Sequence, residues 1–252
     1  MRLAALGSGS RGNGLLVEHG QTCLLVDCGF SLRATLERLR ELGRTAEDLS
    51  GILVTHEHSD HIKGVQALSL RYHLPVYMTH GTARHRAVGG VEQRRLIRGQ
   101  AVFCLGDIAV QAVTVPHDAR EPCQYVFEAA GRKLGILTDL GHVTSQVQQS
   151  YSDCDGLFVE CNHDEKMLAD GPYPHSLKRR VGGNWGHLSN AQTRGLLLGL
   201  SLDRLQHLVV GHISEKNNAP ELVAEALRLE QLEHTGVCYA EQDQILNWID
   251  FS

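Results

Sequence analysis

The run Thr55-His56-Glu57-His58-Ser59-Asp60-His61 gathers three imidazoles and two carboxylates in six consecutive positions from His56, in the pattern HxHxDH. It follows the apolar, β-branched stretch 52–55, which predicts a strand, so the run occupies the turn at that strand's carboxyl end. Residues two apart in an extended turn point to one side, and His56 and His58 can therefore grip one cation through imidazole. Asp60 and His61 then face a second. Two neighbouring divalent ions share a hydroxide that forms near neutral pH and offset the charge growing on a hydrolysed ester, so the chemistry on offer is hydrolysis.

The elements that must position such a site can be read from the rest of the chain. Asp27, His117, Asp139, Glu160 and His212 each stand at or just past the carboxyl end of an apolar run predicted to be a strand (23–27, 108–115, 133–138, 156–160 and 207–211). With His56 they are expected to share one cleft, because strand ends are where a sheet presents side chains together. Between the strands, helical spacing predicts helices over 31–42, 63–72, 82–89, 144–151, 164–168, 175–181, 190–200 and 219–232, with Ser31 and Asn190 as N-caps and Pro220 in a first turn. Strands alternating with helices predict an α/β or α+β fold with substantial sheet. No repeat and no linker rich in Gly, Ser or Pro divides the sequence, so one domain over 1–252 is expected.

Composition narrows the function classes. At 252 residues, 42% hydrophobic and 21% charged, the chain is neither disordered nor fibrous. Seven cysteines, an odd number without a CxxC pair, argue against a disulfide framework and a thiolate zinc ribbon. No apolar run reaches the roughly 18 residues of a membrane span, and the first 16 residues lack a signal-peptide layout, so the cytoplasm is expected. A net charge of −5 provides no global attraction for nucleic acid, and a polyanion must be held locally. Lys178, Arg179 and Arg180, shortly before His187, are the favoured phosphate track; Arg84 and Arg86, and Arg94, Arg95 and Arg98, read as solvated faces. Tyr151 and Trp185 are aromatic rings able to stack an unpaired base or to pack in the core. Gly7-Ser8-Gly9-Ser10-Arg11-Gly12 matches the dinucleotide fingerprint GxGxxG, but 14–18 reads as a strand where that fingerprint needs a helix; a hairpin turn passing near the metal site is expected instead.

The strand–HxHxDH unit and the residues after it make the sequence resemble the metallo-β-lactamase superfamily. The resemblance implies an αβ/βα sandwich, two mixed β-sheets flanked by helices, with His56, His58, Asp60, His61, His117, Asp139 and His212 as ligands of two ions. It makes Asp139 the bridge between them and Asp27 an orienting residue of the metal loop. Glu160-Cys161-Asn162-His163-Asp164, the segment 186–192 and His212-Ile213-Ser214 are similar to the phosphodiesterase branch, ribonuclease Z included. Together with Ile62-Lys63-Gly64 and Glu215-Lys216-Asn217-Asn218 they look like the bacterial YycJ/WalJ/VicX family, which implies a DNA exonuclease acting from 5′ to 3′. By that analogy His187 is a general acid held by Glu160, and Asp60 adds the role of proton acceptor to that of ligand. His163 and Asp164 either reach the site or cap the next helix. Ligands that are all nitrogen or oxygen suit zinc or manganese. The 72 residues between Asp139 and His212 leave no room for the long inserted domain of ribonuclease J relatives. Two competing readings are a hydrolase of a small phosphodiester or thioester, and a metal-binding regulatory module without turnover. Oligomeric state is not legible.

Overall fold

The computed structural model describes residues 1–251. Its first strand, β1 (Arg2–Gly7), sends Leu3 and Ala5 into one apolar layer and Ala4 and Leu6 into another, the period of two that burial on both faces imposes. It pairs antiparallel with β2 (Gly14–His19), and β2 with β3 (Thr22–Val26). Parallel steps then lead to β4 (Gly51–Leu53), β5 (Val76–Thr79) and β6 (Arg94–Ile97), while β14 (Leu246–Asp250) returns to the free side of β1. The second sheet starts with antiparallel β7 (Val102–Leu105), β8 (Ile108–Thr114), β9 (Cys123–Ala129) and β10 (Arg132–Leu137). It continues in parallel through β11 (Gly156–Glu160), β12 (His207–Gly211) and β13 (Gly236–Tyr239). Among the described residues each sheet has seven strands, ordered β14-β1-β2-β3-β4-β5-β6 and β13-β12-β11-β10-β9-β8-β7.

The two sheets meet across Leu3, Val17, Val110, Tyr125, Phe127 and Phe158. Helices α1 (Leu32–Glu41) and α3 (Val65–Tyr72) cover the outer face of the first sheet through Leu39, Val65 and Leu68. On the outer face of the second lie α4 (Ser145–Tyr151), α7 (Asn190–Gly199) and α8 (Pro220–Ala226), packed through Val147, Leu196 and Val223. The expected αβ/βα sandwich is the fold. Its parallel strands β3, β4, β10, β11 and β12 bring their carboxyl ends to one edge, the side on which open α/β sheets bind ligands. Three short helices lie along that edge: α2 (Ser59–Ile62), α5 (Glu165–Asp170) and α6 (His175–Val181).

Several local expectations are corrected. The helix expected over 63–72 begins at Val65, behind the separate turn α2 that carries Asp60 and His61. The stretch 82–89 is two 3₁₀ turns, because His85 is extended and its ring accepts the Ala87 N–H, restarting the turn. The helix over 219–232 ends at Ala226, where Arg194 of α7 donates to the Ala226 and Arg228 carbonyls. Ser189, not Asn190, caps α7, in a box with Gln192. Arg94 and Arg95 form no solvated helix or loop face; they belong to β6, an edge strand whose charge masks it in the sequence. Tyr151 is fully buried and donates its hydroxyl to the Ile136 carbonyl, so it is a core residue. All seven cysteines are free; burial pushes the Cys28 and Cys123 thiols up to about 12. Among the described residues no helix is long and apolar enough to cross a membrane.

At the opposite edge from the strand ends, the buried Asp155 carboxylate ties the starts of β10, β11 and β12. It accepts from the Lys133 N–H at 2.8 Å, Arg132 at 3.0 Å and Arg204 at 2.8 Å. Burial disfavours its charge, but these donors outweigh burial and hold the carboxyl below its usual range. Asp155→Ala is expected to cost about 2–3 kcal/mol, roughly 4–10 °C in Tm for a chain of this size. A carboxyl lowered on folding stabilises above its unfolded pKa and stops doing so as pH falls through its folded one. The Tm gap between wild type and variant should therefore narrow as melting is repeated from neutral towards strongly acid pH; a gap of constant size would reject the carboxylate as the cause.

Candidate metal centre and active site

The HxHxDH turn leaves β4 and is pressed against the β1–β2 hairpin, whose Asn13 donates its N–H to the Asp60 carbonyl at 2.8 Å and accepts the Gly29 N–H at 2.8 Å. That approach explains Gly29: a Cβ there would lie 1.6 Å from the Asp60 carbonyl oxygen. The glycine-rich segment is thus a hairpin turn running past the site, and its Ser10 lines the same cavity as Asp60.

The ring orientations are set from behind. Asp27, past the end of β3, accepts the Thr55 N–H and hydroxyl, both at 2.8 Å, and holds His61 Nδ1 at 2.8 Å. Since the Thr55 hydroxyl proton goes to Asp27, its oxygen is free to accept from His56 Nδ1 at 3.0 Å. His117 Nδ1 donates to the Gly186 carbonyl at 3.0 Å. In His56, His61 and His117 the Nε2 lone pair is left for the cavity, the arrangement by which a second shell fixes a metal-binding tautomer. His58 is reversed: its Nε2 lies 3.4 Å from Asp118, and its Nδ1 turns inward.

The inward nitrogens converge. His58 Nδ1 is 2.9 Å from His56 Nε2 and 3.2 Å from His117 Nε2, and a single proton could serve only one of those contacts. Two nitrogens held 2.0–2.1 Å from one tetrahedral ion lie about 3.3 Å apart, close to the spacing seen. A second group stands beside the first. His61 Nε2 is 3.4 Å from Asp60 and 3.3 Å from Asp139, and His212 Nε2 is 3.7 Å from Asp60 and 3.5 Å from Asp139. His212 Nε2 is buried without a hydrogen-bond partner. An orphaned imidazole nitrogen amid carboxylates, and three imidazole nitrogens facing one another, are donor sets that fit divalent cations.

Electrostatics point the same way. Burial and neighbouring imidazoles push His56 well below its ordinary value. Burial also opposes charge on Asp60, Asp139, His61 and His212, yet their mutual attraction prevails: both carboxyls are held low, His61 is raised well above its usual range, and His212 to about 9. The carboxylate field therefore favours positive charge where the imidazole nitrogens meet.

Glu160, closing β11, accepts the Leu140 and Leu188 N–H groups at 2.9 and 3.1 Å and holds His187 Nδ1 at 3.0 Å. His187, partly exposed and stacked on His212 at 5.0 Å, presents its other nitrogen to the cavity. Asp27, Asp139 and His212 have φ of +61°, +52° and +50°, in the left-handed region that costs a non-glycine residue about 1 kcal/mol or more. The turn lifts each side chain out of the strand's alternation and towards the edge.

The structure thus brings His56, His58, Asp60, His61, His117, Asp139, His212, His187 and Glu160 together in adjoining clusters, of which His58, Asp60, Asp139, His187 and His212 line a cavity of about 340 Å³. His163 is buried beside Glu160 and His187 but does not line that cavity, and Asp164 caps α5 by accepting the Met167 N–H at 2.8 Å. Of the basic track only Arg180 lines the cavity, paired with Asp118; Lys178 donates to the Ala169 carbonyl, and Arg179 is exposed. The exposed Trp185 ring lies outside the lining. Sequence reasoning missed Asn13, Asp118 and Tyr173. Asp118 could have been found from its place next to His117; the other two carry no pattern.

The model described as the β-lactamase superfamily domain matches residues 22–213, and the chain belongs to that superfamily. Its sequence is 38% identical over 226 residues to exodeoxyribonuclease YycJ of Bacillus anthracis, a match covering 88% of this chain and 86% of the relative. Exodeoxyribonuclease WalJ of Streptococcus pneumoniae serotype 2 is 34% identical over 227 residues, covering 88% and 84%. The metallo-β-lactamase fold protein YhfI from Bacillus subtilis superposes with a TM-score of 0.73 at 17% identity over 97% of this chain and 98% of its own, a likeness of fold.

Proposed function

We propose that this chain is a metal-dependent phosphodiesterase of one domain, a DNA exonuclease working from 5′ to 3′. The observation that carries the reading is the convergence of seven nitrogen- and oxygen-donor side chains in overlapping clusters beside the Glu160–His187 pair. Similarity to two exodeoxyribonucleases over most of their length supports DNA as the substrate. His56, His58 and His117 would hold one divalent ion, and Asp60, His61 and His212 a second, with Asp139 between them. Zinc suits the imidazoles, and manganese the absence of thiolate among these donors. Bound there, such ions supply a hydroxide at neutral pH and offset the charge of the diester. Asp60 receives the proton of the attacking water. His187, oriented through Nδ1 by Glu160, gives a proton to the departing oxygen from Nε2. Arg180, with Lys178 and Arg179 along the same helix, attracts the phosphate backbone.

One assay tests this reading. A zinc- or manganese-loaded preparation is given bis-p-nitrophenyl phosphate, a thioester, and duplex and single-stranded DNA and RNA labelled at either end. Stepwise release from the 5′ end of DNA is the expected result, abolished by chelation and restored by metal. Turnover of the thioester alone would overturn the nuclease, and tight metal binding with every substrate intact would make the chain a regulatory module.

A further inference from the structure

The cavity takes part of its lining from α6 and the residues before that helix. Tyr173, Leu177 and Val181 all line it, at spacings of four that set them on one side of the helical path, with Arg180 beside them. Tyr173 is the aromatic residue of that lining. It lies between Pro172 and Pro174, and a residue before proline is confined to extended backbone, so the ring's mounting is stiff. The Lys216 ammonium, on the loop after His212, sits 5.9 Å from the ring centroid. Among the described residues no hydrogen bond engages the Tyr173 hydroxyl, and the side chain lines the cavity with Lys216 over its ring.

We propose that Tyr173, backed by Leu177, is the shelf on which the nucleobase of the nucleoside adjoining the scissile phosphate stacks, making Tyr173 a binding and specificity-determining residue. The inference rests on the phosphodiesterase reading. A phosphate placed at the Asp60–Asp139–His212 wall carries its nucleoside into the remaining space, and about 340 Å³ is at the small end of the range for small-molecule sites. That is room for about one nucleotide within the cavity itself. A terminal base that enters it leaves its neighbour, and an aromatic face replaces the stacking it loses. Stacking accepts any base, so the shelf confers a requirement for a base without a preference among the four.

The test compares wild type, Tyr173→Ala and Tyr173→Phe on two DNAs identical except that, in one, the nucleotide at the digested end is a baseless tetrahydrofuran residue. For ordinary DNA, Tyr173→Ala should raise KM roughly tenfold to a hundredfold with little change in kcat, while Tyr173→Phe stays within about twofold of wild type. Wild type should suffer a similar rise on the baseless end, and Tyr173→Ala no further rise. Melting temperature and metal content should be alike in all three proteins, and the substrate-side comparison on wild type needs no variant. A wild type indifferent to the missing base, an alanine variant with unchanged KM, or one whose defect persists in full on the baseless end would each overturn the shelf. Wild type that leaves ordinary DNA intact would overturn the phosphodiesterase reading and the shelf together.

Discussion

Asp60→Ala is expected to lower phosphodiester hydrolysis at least about a thousandfold without unfolding the protein. Two things disappear with this carboxylate: the proposed acceptor for the proton of the attacking water, and one of the oxygens facing His61 and His212. The fold should survive because the shorter of the Asp60 contacts with the β1–β2 hairpin, the backbone carbonyl accepting the Asn13 N–H at 2.8 Å, is kept by alanine, and only the 3.3 Å bond from Asn13 Nδ2 to the carboxylate is lost. Removing one of two carboxylates crowded against the same imidazoles also relieves repulsion from Asp139. Single-turnover rates, metal stoichiometry and melting temperature measured on one preparation separate these contributions. Turnover near the wild-type rate would remove Asp60 from the chemistry.

His187→Gln should give a different signature, because its effect depends on the leaving group. A sugar oxygen leaves as a poor alkoxide unless protonated, so DNA cleavage should fall about a hundredfold to ten-thousandfold. Bis-p-nitrophenyl phosphate releases a stable phenolate, and its turnover should change by less than about tenfold. Glu160→Gln should fall between: the amide oxygen can still accept from Leu140 and Leu188, but an amide nitrogen replaces the oxygen that holds His187 Nδ1. Equal losses on both substrates would mean that His187 shapes the cavity and transfers no proton.

What the sequence revealed and what it hid follow from how local each signal is. His56, His58, Asp60 and His61 were legible because one turn gathers them, and Asp27, Asp139, Glu160 and His212 because parallel strands must end on a common edge. The alternation of strands and helices gave the α/β or α+β class, and the family resemblance carried by the HxHxDH unit gave the sandwich. Tyr173 was hidden because its importance depends on how α6 is docked, which no periodicity of six or seven residues encodes. Tyr151 stayed open between stacking and core packing in the sequence, because only the fold shows the Ile136 carbonyl accepting its hydroxyl proton. In β6 the backbone pairing with β5 overrides the polar side chains that disguised it.

The backbone angles of Asp139 and His212 set catalysis against endurance. Each bends where a chain prefers glycine, and His212 adds a sequestered nitrogen that nothing among the described residues satisfies. Selection that rewarded survival of heat alone would drift at these positions towards glycine or asparagine, gaining about 1 kcal/mol at each step. It would return a sturdier protein that had forgotten its reaction.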